Sequence, residues 1–488
     1  MGTKQFTIVH SNDMHGDFLA EAQGAEGRLT GGLALLSGYI NRVRKEEENT
    51  LYIISGDMVQ GSIIDSEYKG ISTIEIMNYL APDVVTLGNH EFDYGLPHLL
   101  FLEKMANFPI VNANLYIKKY NKRLMRPYTI LNKAGFDILF IGIITDKVID
   151  SIRLDEQIGS FISLEDAAGE VGKICNAYKN DDIDLTVLMT HIGYESDVEL
   201  AKMLDPSWGV DLIIGGHSHT LLQQPARVND ILIAQAGVGT DQVGRFDIVV
   251  DDATNSIVDY RWQLIPIDNN LAQPDQGLQD YIDSFKTVVD RKYNTIVCKL
   301  AGELTHPRRE EETSLGNLMA DALVEASSSD VVLLGSGSVR VKTMGPLVTL
   351  ANFMACFPYN DTLTRFTITG ADLRRIFSHI MRPENRDGEG ECYQVNAGVR
   401  AVYNDTAHQL QSLTVNGRPV EDGRLYTLCL QGYHVKNAAD YLNISQAQLT
   451  AAGKPKVVST SAQDVLLEFL RNNQNASRSV EGRLVYQQ

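Results

Sequence analysis

The chain has 488 residues, 44% of them apolar and 22% charged. That length exceeds one ordinary core, so two domains are expected, and the composition excludes a disordered or fibrous chain. A formal net charge of −19 excludes a broad basic face for a nucleic-acid polymer or an anionic membrane, and no apolar run approaches the roughly 18–20 residues of a membrane span. The five cysteines are scattered without a C-x-x-C pair, which predicts neither a disulfide framework nor a thiolate zinc site. The first strand starts by about Phe6 with no signal peptide before it, which favours the cytoplasm; export through a leader outside the given sequence is the alternative.

Phe6-Thr7-Ile8-Val9 reads as a strand and runs into Asp13 and His15. Gly31-Gly32 precedes Leu33, Leu36, Ile40 and Val43, a spacing of three and four that predicts a helix with one apolar stripe, closed by the charge run 45–49. A strand over 51–54 leads to Gly56-Asp57. A helix near Ile71–Leu80 leads through Pro82 to a strand over 84–87, which runs into Gly88-Asn89-His90-Glu91-Phe92-Asp93. Phe136–Ile144 reads as a strand, the run 185–189 reaches His191, and Val210–Ile214 reaches Gly215-Gly216-His217-Ser218-His219. Ile231–Ala236 and Arg245–Asp251 read as closing strands. The alternation of strand and helix predicts an α/β layer protein.

Near residue 268 the texture changes. Residues 268–277 are polar and turn-rich, and Leu278, Ile282, Phe285 and Val289 follow at helical spacing. A catalytic domain over 1–267, a linker and connecting helix over 268–294, and a second domain over 295–488 are expected. The second domain is predicted to hold a helix from Ser314 to about Ala326, a strand over Val331–Leu334, a glycine–serine turn and a helix over Ala371–Met381.

Five apolar runs thus each deliver a metal-ligating side chain at the carboxyl end, and five of the 11 histidines lie in these motifs. Buried strands are near-continuous apolar runs, and loops leaving their carboxyl ends converge on one edge of a sheet. Glycines at 56, 88, 215 and 216 let the backbone turn sharply beside an ion. His10 and His98 match no motif and read as structural, Glu91 as a supporting residue, and Asp17 and Asp65 as surface charges.

In this order, Asp-x-His, Gly-Asp, Gly-Asn-His-Glu, a lone His and Gly-His-x-His resemble the motifs of the calcineurin-like metallophosphoesterases. The wording His10-Ser11-Asn12-Asp13-Met14-His15-Gly16, in a chain this long, narrows the resemblance to the 5′-nucleotidase family. The resemblance implies an N-terminal four-layer α/β/β/α domain and a C-terminal α/β substrate domain. It implies two divalent ions, one on Asp13, His15, Asp57 and His219, the other on Asp57, Asn89, His191 and His217. Mixed N and O ligands suit Zn²⁺ or Mn²⁺, with Fe and Co as further options, and argue against an all-oxygen Mg²⁺ or Ca²⁺ cage. His90 would stabilise the transition state or protonate the leaving group, with Asp93 orienting its ring.

Further matches lie in the second domain. Gly335-Ser336-Gly337-Ser338-Val339-Arg340 is similar to the family's Asn-Gly-Gly-Gly-Ile-Arg turn, which would present backbone N–H groups and Arg340 to an anion. Arg309 stands where relatives place a phosphate-binding Arg. With Asn89 on the first domain, these residues would grip the substrate. Tyr359 matches an aromatic that stacks on the base, His434 replaces the second aromatic, and Asp440 matches a ribose-binding acid. The expected activity is hydrolysis of a nucleotide's phosphate ester by a monomer or homodimer. Alternatives are a 2′,3′-cyclic-nucleotide phosphodiesterase, a nucleotide-sugar hydrolase, a sulfur-oxyanion hydrolase, or a binding protein that has lost catalysis.

Overall fold

A computed structural model of the chain describes residues 3–23, 27–117, 120–133, 135–144, 160–161, 163–386 and 391–487. Its contacts divide the chain into two units, Met1–Val289 and Asp290–Gln488.

The first unit is built on two six-stranded sheets. β1 (Thr3–Ser11), α1 (Leu33–Glu46), β2 (Thr50–Ser55), α2 (Ile71–Leu80), β3 (Val84–Thr86) and β4 (Ile110–Val111) come first. β5 (Tyr128–Lys133), β6 (Phe136–Ile144), α3 (Leu164–Ala177), β7 (Leu185–His191), α4 (Tyr194–Met203) and β8 (Leu212–Ile214) follow. β9 (Ala226–Val228), β10 (Ile231–Ala234), β11 (Gln242–Asp251), β12 (Ser256–Pro266) and α5 (Gln276–Tyr293) complete this half, α5 running past the division into the second unit. One sheet has the order β12-β11-β1-β2-β3-β4, the other β9-β10-β8-β7-β6-β5. β1, β2, β3 and β4 are parallel, as are β6, β7, β8 and β10.

The strands alternate faces with period two. Phe6, Ile8, Leu51 and Ile53 from one sheet meet Phe140, Val187, Met189, Leu212 and Ile214 from the other in a shared core. The outer face of the second sheet, with Leu139, Ile141, Leu188 and Ile213, packs on Val171, Ile174 and Leu200 of α3 and α4. α1 buries Leu33, Leu36, Ile40 and Val43, the stripe its spacing predicts. Helix, sheet, sheet and helix make the four layers.

The second unit holds a mixed five-stranded sheet in the spatial order Tyr393–Val395, Val331–Gly335, Leu425–Gln431, Leu363–Thr369, Lys456–Ser459. Leu315, Leu318 and Leu323 of the helix Ser314–Ser327 pack with Leu466 and Leu470 of the helix Ala462–Asn472 on the face bearing Val332 and Leu334. Leu373, Ile376 and Phe377 of the helix Gly370–Ile380 cover the opposite face at Val331 and Leu333. Thr369 starts that helix with a capping box to Asp372. A four-stranded sheet of Arg418–Pro419, Gln409–Val415, Val399–Asn404 and Leu484–Gln487 adjoins it. Sequence patterning predicts two helices, one strand and one turn of this unit and none of the second sheet, whose strands are short or largely exposed to half-exposed.

Candidate metal centre

Parallel direction decides where the motifs go. β1, β2, β3, β7 and β8 all end on the same edge of the first unit, and their loops carry Asp13 and His15, Asp57, Asn89 and His90, His191, and His217 and His219 respectively. Hydrogen bonds join the two sheets there: Ser55 Oγ donates to the Ile214 carbonyl at 2.8 Å, and His191 Nδ1 to the Ser55 carbonyl at 2.9 Å. Five of the seven expected ligands hold a left-handed backbone, with φ of 52° at Asp13, 48° at His15, 53° at Asp57, 79° at His217 and 53° at His219. Such a conformation is costly for a residue with a Cβ and persists where surrounding structure enforces it, most often at functional sites. Gly88 answers a separate need, since a Cβ there would lie 2.2 Å from Asp57 Oδ1.

The side chains converge. Asp57 Oδ2 lies 3.1 Å from His191 Nε2 and 3.9 Å from His15 Nε2. His15 Nε2 is 3.2 Å from His219 Nε2, which is 3.5 Å from Asp13 Oδ1. Asn89 Oδ1 sits 3.1 Å from both His191 Nε2 and His217 Nδ1. Donor atoms of Asp13, His15 and His219, and of Asp13, Asp57 and His191, form groups lying within 4.8 Å, and His90 joins His15 and Asp57 in a third.

The rings are prepared as ligands. His15 Nδ1 faces the Gln60 carbonyl at 3.2 Å and His191 Nδ1 the Ser55 carbonyl, so each Nδ1 keeps its proton and each Nε2 faces the cluster. This is how metal-binding histidines are usually held. Burial lowers the pKa of His15 and of His217, which favours the neutral imidazole. Burial lowers the pKa of His191, but the Asp57 and Asp13 carboxylates beside it push it up to about 9; burial raises the Asp57 carboxyl, but the His191 charge and the hydrogen bonds from His191 and the His90 N–H outweigh it and hold it at about 2. Two buried carboxylates, the imidazole nitrogens and one amide oxygen fit divalent cations of the Zn²⁺ or Mn²⁺ kind, which would take the place of the proton on His191 Nε2.

His90 is placed differently. Its Nδ1 donates to Asp93 Oδ2 at 2.8 Å, and that hydrogen bond raises the pKa of the imidazole.

Other residues shape the cluster, among them Glu91, which the sequence reads as a supporting residue. Asn12 Nδ2 donates to Asp13 Oδ2 at 2.7 Å and to the Gly237 carbonyl at 2.7 Å. Glu91 is buried and accepts the N–H groups of Asp57, Met58 and Gly88 at 3.0, 2.8 and 2.6 Å, tying two ligand loops together. Asp197 on α4 accepts Thr190 Oγ1 at 2.6 Å and Gln235 Nε2 at 2.9 Å, and Gln235 Oε1 accepts Ser218 Oγ at 3.1 Å. Burial pushes the Asp197 carboxyl up to about 7.

Some expectations need correction. Asp65 is fully buried, accepting Gln60 N–H, Thr73 Oγ1 and Tyr94 Oη, because α2 and the short helix Ile63–Tyr68 close over it. Asp17 is half-buried and takes the Thr240 N–H at 2.8 Å. His10 and His98 fit their reading as structural residues: His10 is buried against the touching rings of Phe246 and Trp262, and His98 Nε2 faces the Lys69 carbonyl at 2.6 Å.

In the second unit Arg340 stands 6.0 Å from the centre of the Tyr359 ring, and Arg309 acts electrostatically on Glu391 beside the 335–338 turn. His434 is not the second base-facing aromatic. It is 2% exposed, takes a hydrogen bond from Tyr393 Oη at 3.0 Å, and has its pKa lowered to about 4 by burial. Tyr433, its neighbour, is 51% exposed and Tyr359 48%. The Tyr433 N–H donates to Asp361 Oδ2 at 2.5 Å, which brings the two tyrosine loops together. The helix Gly432–Lys436 sets the phase that turns Tyr433 outward and His434 in. Asp440 is exposed on the next helix, Ala438–Leu442.

A layered α/β sandwich with Asp, Asn and His ligands at its strand ends defines a calcineurin-like metallophosphoesterase, and residues 6–221 match the calcineurin-like phosphoesterase family model. Residues 296–444 match the model of the 5′-nucleotidase C-terminal domain. The chain belongs to the 5′-nucleotidase family of metal-dependent phosphoester hydrolases. It is 28% identical to a 5′-nucleotidase of Vibrio parahaemolyticus, over 96% of this chain and 90% of that one. It is 24% identical to the endonuclease YhcR of Bacillus subtilis over 98% of this chain, and spans only 40% of that protein's length. The fold is that of a 5′-nucleotidase precursor from Thermus thermophilus, with a TM-score of 0.62, 21% identity and 99% of each chain covered. Among the described residues, no helix is long and apolar enough to cross a membrane.

Proposed function

We propose that the chain hydrolyses the phosphate ester of a nucleotide at a dinuclear centre. Asp13, His15, Asp57 and His219 would hold one ion, and Asp57, Asn89, His191 and His217 the other. The observation that carries this is the meeting of the two ligand sets at a pair of buried carboxylates: Asp57 approaches His15 and His191 at 3.9 and 3.1 Å, and Asp13 approaches His219 and His191 at 3.5 and 3.8 Å. When bound, two such cations would supply a hydroxide near neutral pH and neutralise charge gathering on the phosphoryl oxygens.

The chain's own residues do the rest. Asn89 turns its carbonyl oxygen to the histidines, leaving its amide N–H groups to hold a phosphoryl oxygen. His90, with Nδ1 committed to Asp93, keeps Nε2 for the leaving ester oxygen and delivers its proton there. In the second unit, Arg309 and Arg340 recognise the substrate's phosphate, Tyr359 and Tyr433 its base, and Asp440 its ribose. The net charge of −19 disfavours a nucleic-acid polymer as substrate.

The test is metal analysis together with product analysis: phosphate from AMP and p-nitrophenyl phosphate, a phosphomonoester from 2′,3′-cyclic AMP, UMP from UDP-glucose and a sulfur oxyanion from a sulfur-oxyanion ester. The expected result is two equivalents of Zn or Mn and the highest kcat/KM on AMP. Two bound equivalents with turnover of the sulfur ester alone would overturn the nucleotide assignment.

A further inference from the structure

The 335–338 turn does not offer an open row of N–H groups. Gly335 N–H donates to Gln431 Oε1 at 3.2 Å, and Ser336 N–H to the Cys392 carbonyl at 2.7 Å. Val339 N–H donates to the Ser336 carbonyl at 3.2 Å and Arg340 N–H to the Cys356 carbonyl at 2.8 Å. Glu391 rests on the glycine face of the turn, beside the His434 ring that packs on Gly335. A Cβ added at Gly335 would lie 3.2 Å from Glu391 Oε1, and one at Gly337 3.7 Å from it. Burial pushes the Glu391 carboxyl up, while the Arg309 charge and the Gly337 backbone N–H pull it back toward the ionised form. The same carboxylate makes ionisation harder for the exposed Tyr433 and the buried Tyr393. An acid of this chain therefore sits where an arginine, the turn and an outward-facing tyrosine meet.

We propose that Glu391 is a resident carboxylate that competes with the substrate's phosphate for Arg309 and the Gly337 N–H, and so sets the affinity of the second unit for anionic ligands. The proposal rests on the reading of Arg309 as a phosphate-recognising residue. Two anions cannot share one arginine without strong mutual repulsion, so a bound phosphate must displace the carboxylate or tolerate it. A simple anion brings nothing to offset that cost. A nucleotide brings a base that stacks on the tyrosines as well. The resident carboxylate thus lowers affinity for every phosphate ligand alike, and a phosphate carried by a nucleoside keeps the binding that its base contributes.

The test is steady-state kinetics on the full metal-loaded chain, with KM for AMP and the inhibition constant of uncharged adenosine measured in wild type, Glu391→Gln, Glu391→Ser and Arg309→Ala. Removing the charge by either Glu391 substitution is expected to lower KM for AMP by about tenfold, with adenosine inhibition unchanged. A KM for AMP that stays the same or rises in both Glu391 variants, while Arg309→Ala raises it, overturns the competition and makes Glu391 a structural or substrate-assisting acid. A parallel gain for adenosine also overturns it, since a neutral ligand has no reason to compete with the carboxylate. If Arg309→Ala leaves KM for AMP untouched, the phosphate-recognising reading of Arg309 fails first.

Discussion

Asp57 is the residue on which the dinuclear reading turns. Asp57→Asn should cost both ions and abolish phosphate release, whereas His219→Gln should be milder, because that ring is 45% exposed at the rim and a Gln oxygen can replace it; metal stoichiometry alongside activity checks both. Equal activity in wild type and Asp57→Asn would sink the shared-ligand assignment. His90→Ala should lower kcat by about 10²–10⁴-fold with metal content intact, and loss of one metal equivalent would make His90 a ligand instead. The clustering of the candidate ligands was legible in the sequence because each follows closely on an apolar run, where the strand itself fixes its position. Asn12, Asp197 and Gln235 were not. Asn12 and Gln235 act through partners 225 and 38 residues away, at Gly237 and Asp197, a relation no local spacing records.

At the scale of elements, α4 does more than cover a sheet. Through Asp197 it holds Thr190, beside His191, and Gln235, which in turn holds Ser218 between two ligand histidines. Asp197→Ala should therefore weaken metal affinity by about 10–100-fold without removing a ligand, read by competition with a chelator; an unchanged affinity would confine Asp197 to packing. The short helix Gly432–Lys436 decides which ring meets solvent, and the sequence alone could not settle its phase because two aromatic rings stand side by side. Tyr359→Ala and Tyr433→Ala should each lower the AMP to p-nitrophenyl phosphate ratio of kcat/KM, by roughly 5- to 150-fold for a stacking loss of ~1–3 kcal/mol. His434→Phe should leave that ratio alone. His434 instead governs acid stability. Its folded pKa of about 4 lies below the ordinary value of 6.5, so the unfolded chain binds the extra proton between those values. Stability is then full above pH 6.5 and falls as the pH drops toward 4, by up to about 3 kcal/mol. In His434→Phe the loss over that window should flatten, whatever its stability at neutral pH; an unaltered slope in denaturant titrations would refute the burial of a neutral ring.

Over the whole molecule, the fold class was legible because parallel strands and amphipathic helices alternate through the first half. The second sheet of the second unit was not, since strands such as Gln409–Val415 are mostly half-exposed and carry no apolar run. Two units with separate cores should unfold in two calorimetric steps, and chelation should lower only the step that belongs to Met1–Val289, because every expected ligand lies there. A fall in both steps would show that the units melt as one. The cysteines open a way to follow the units separately. All five are free and buried, and burial pushes their thiols up to about 11 or 12. Thiolate supply and access both govern alkylation, so the native chain is nearly silent toward maleimides. A single cysteine introduced on the surface of each unit would be the reactive one, and a fluorophore pair attached there would report the distance between units during turnover without first stripping the protein of its own thiols.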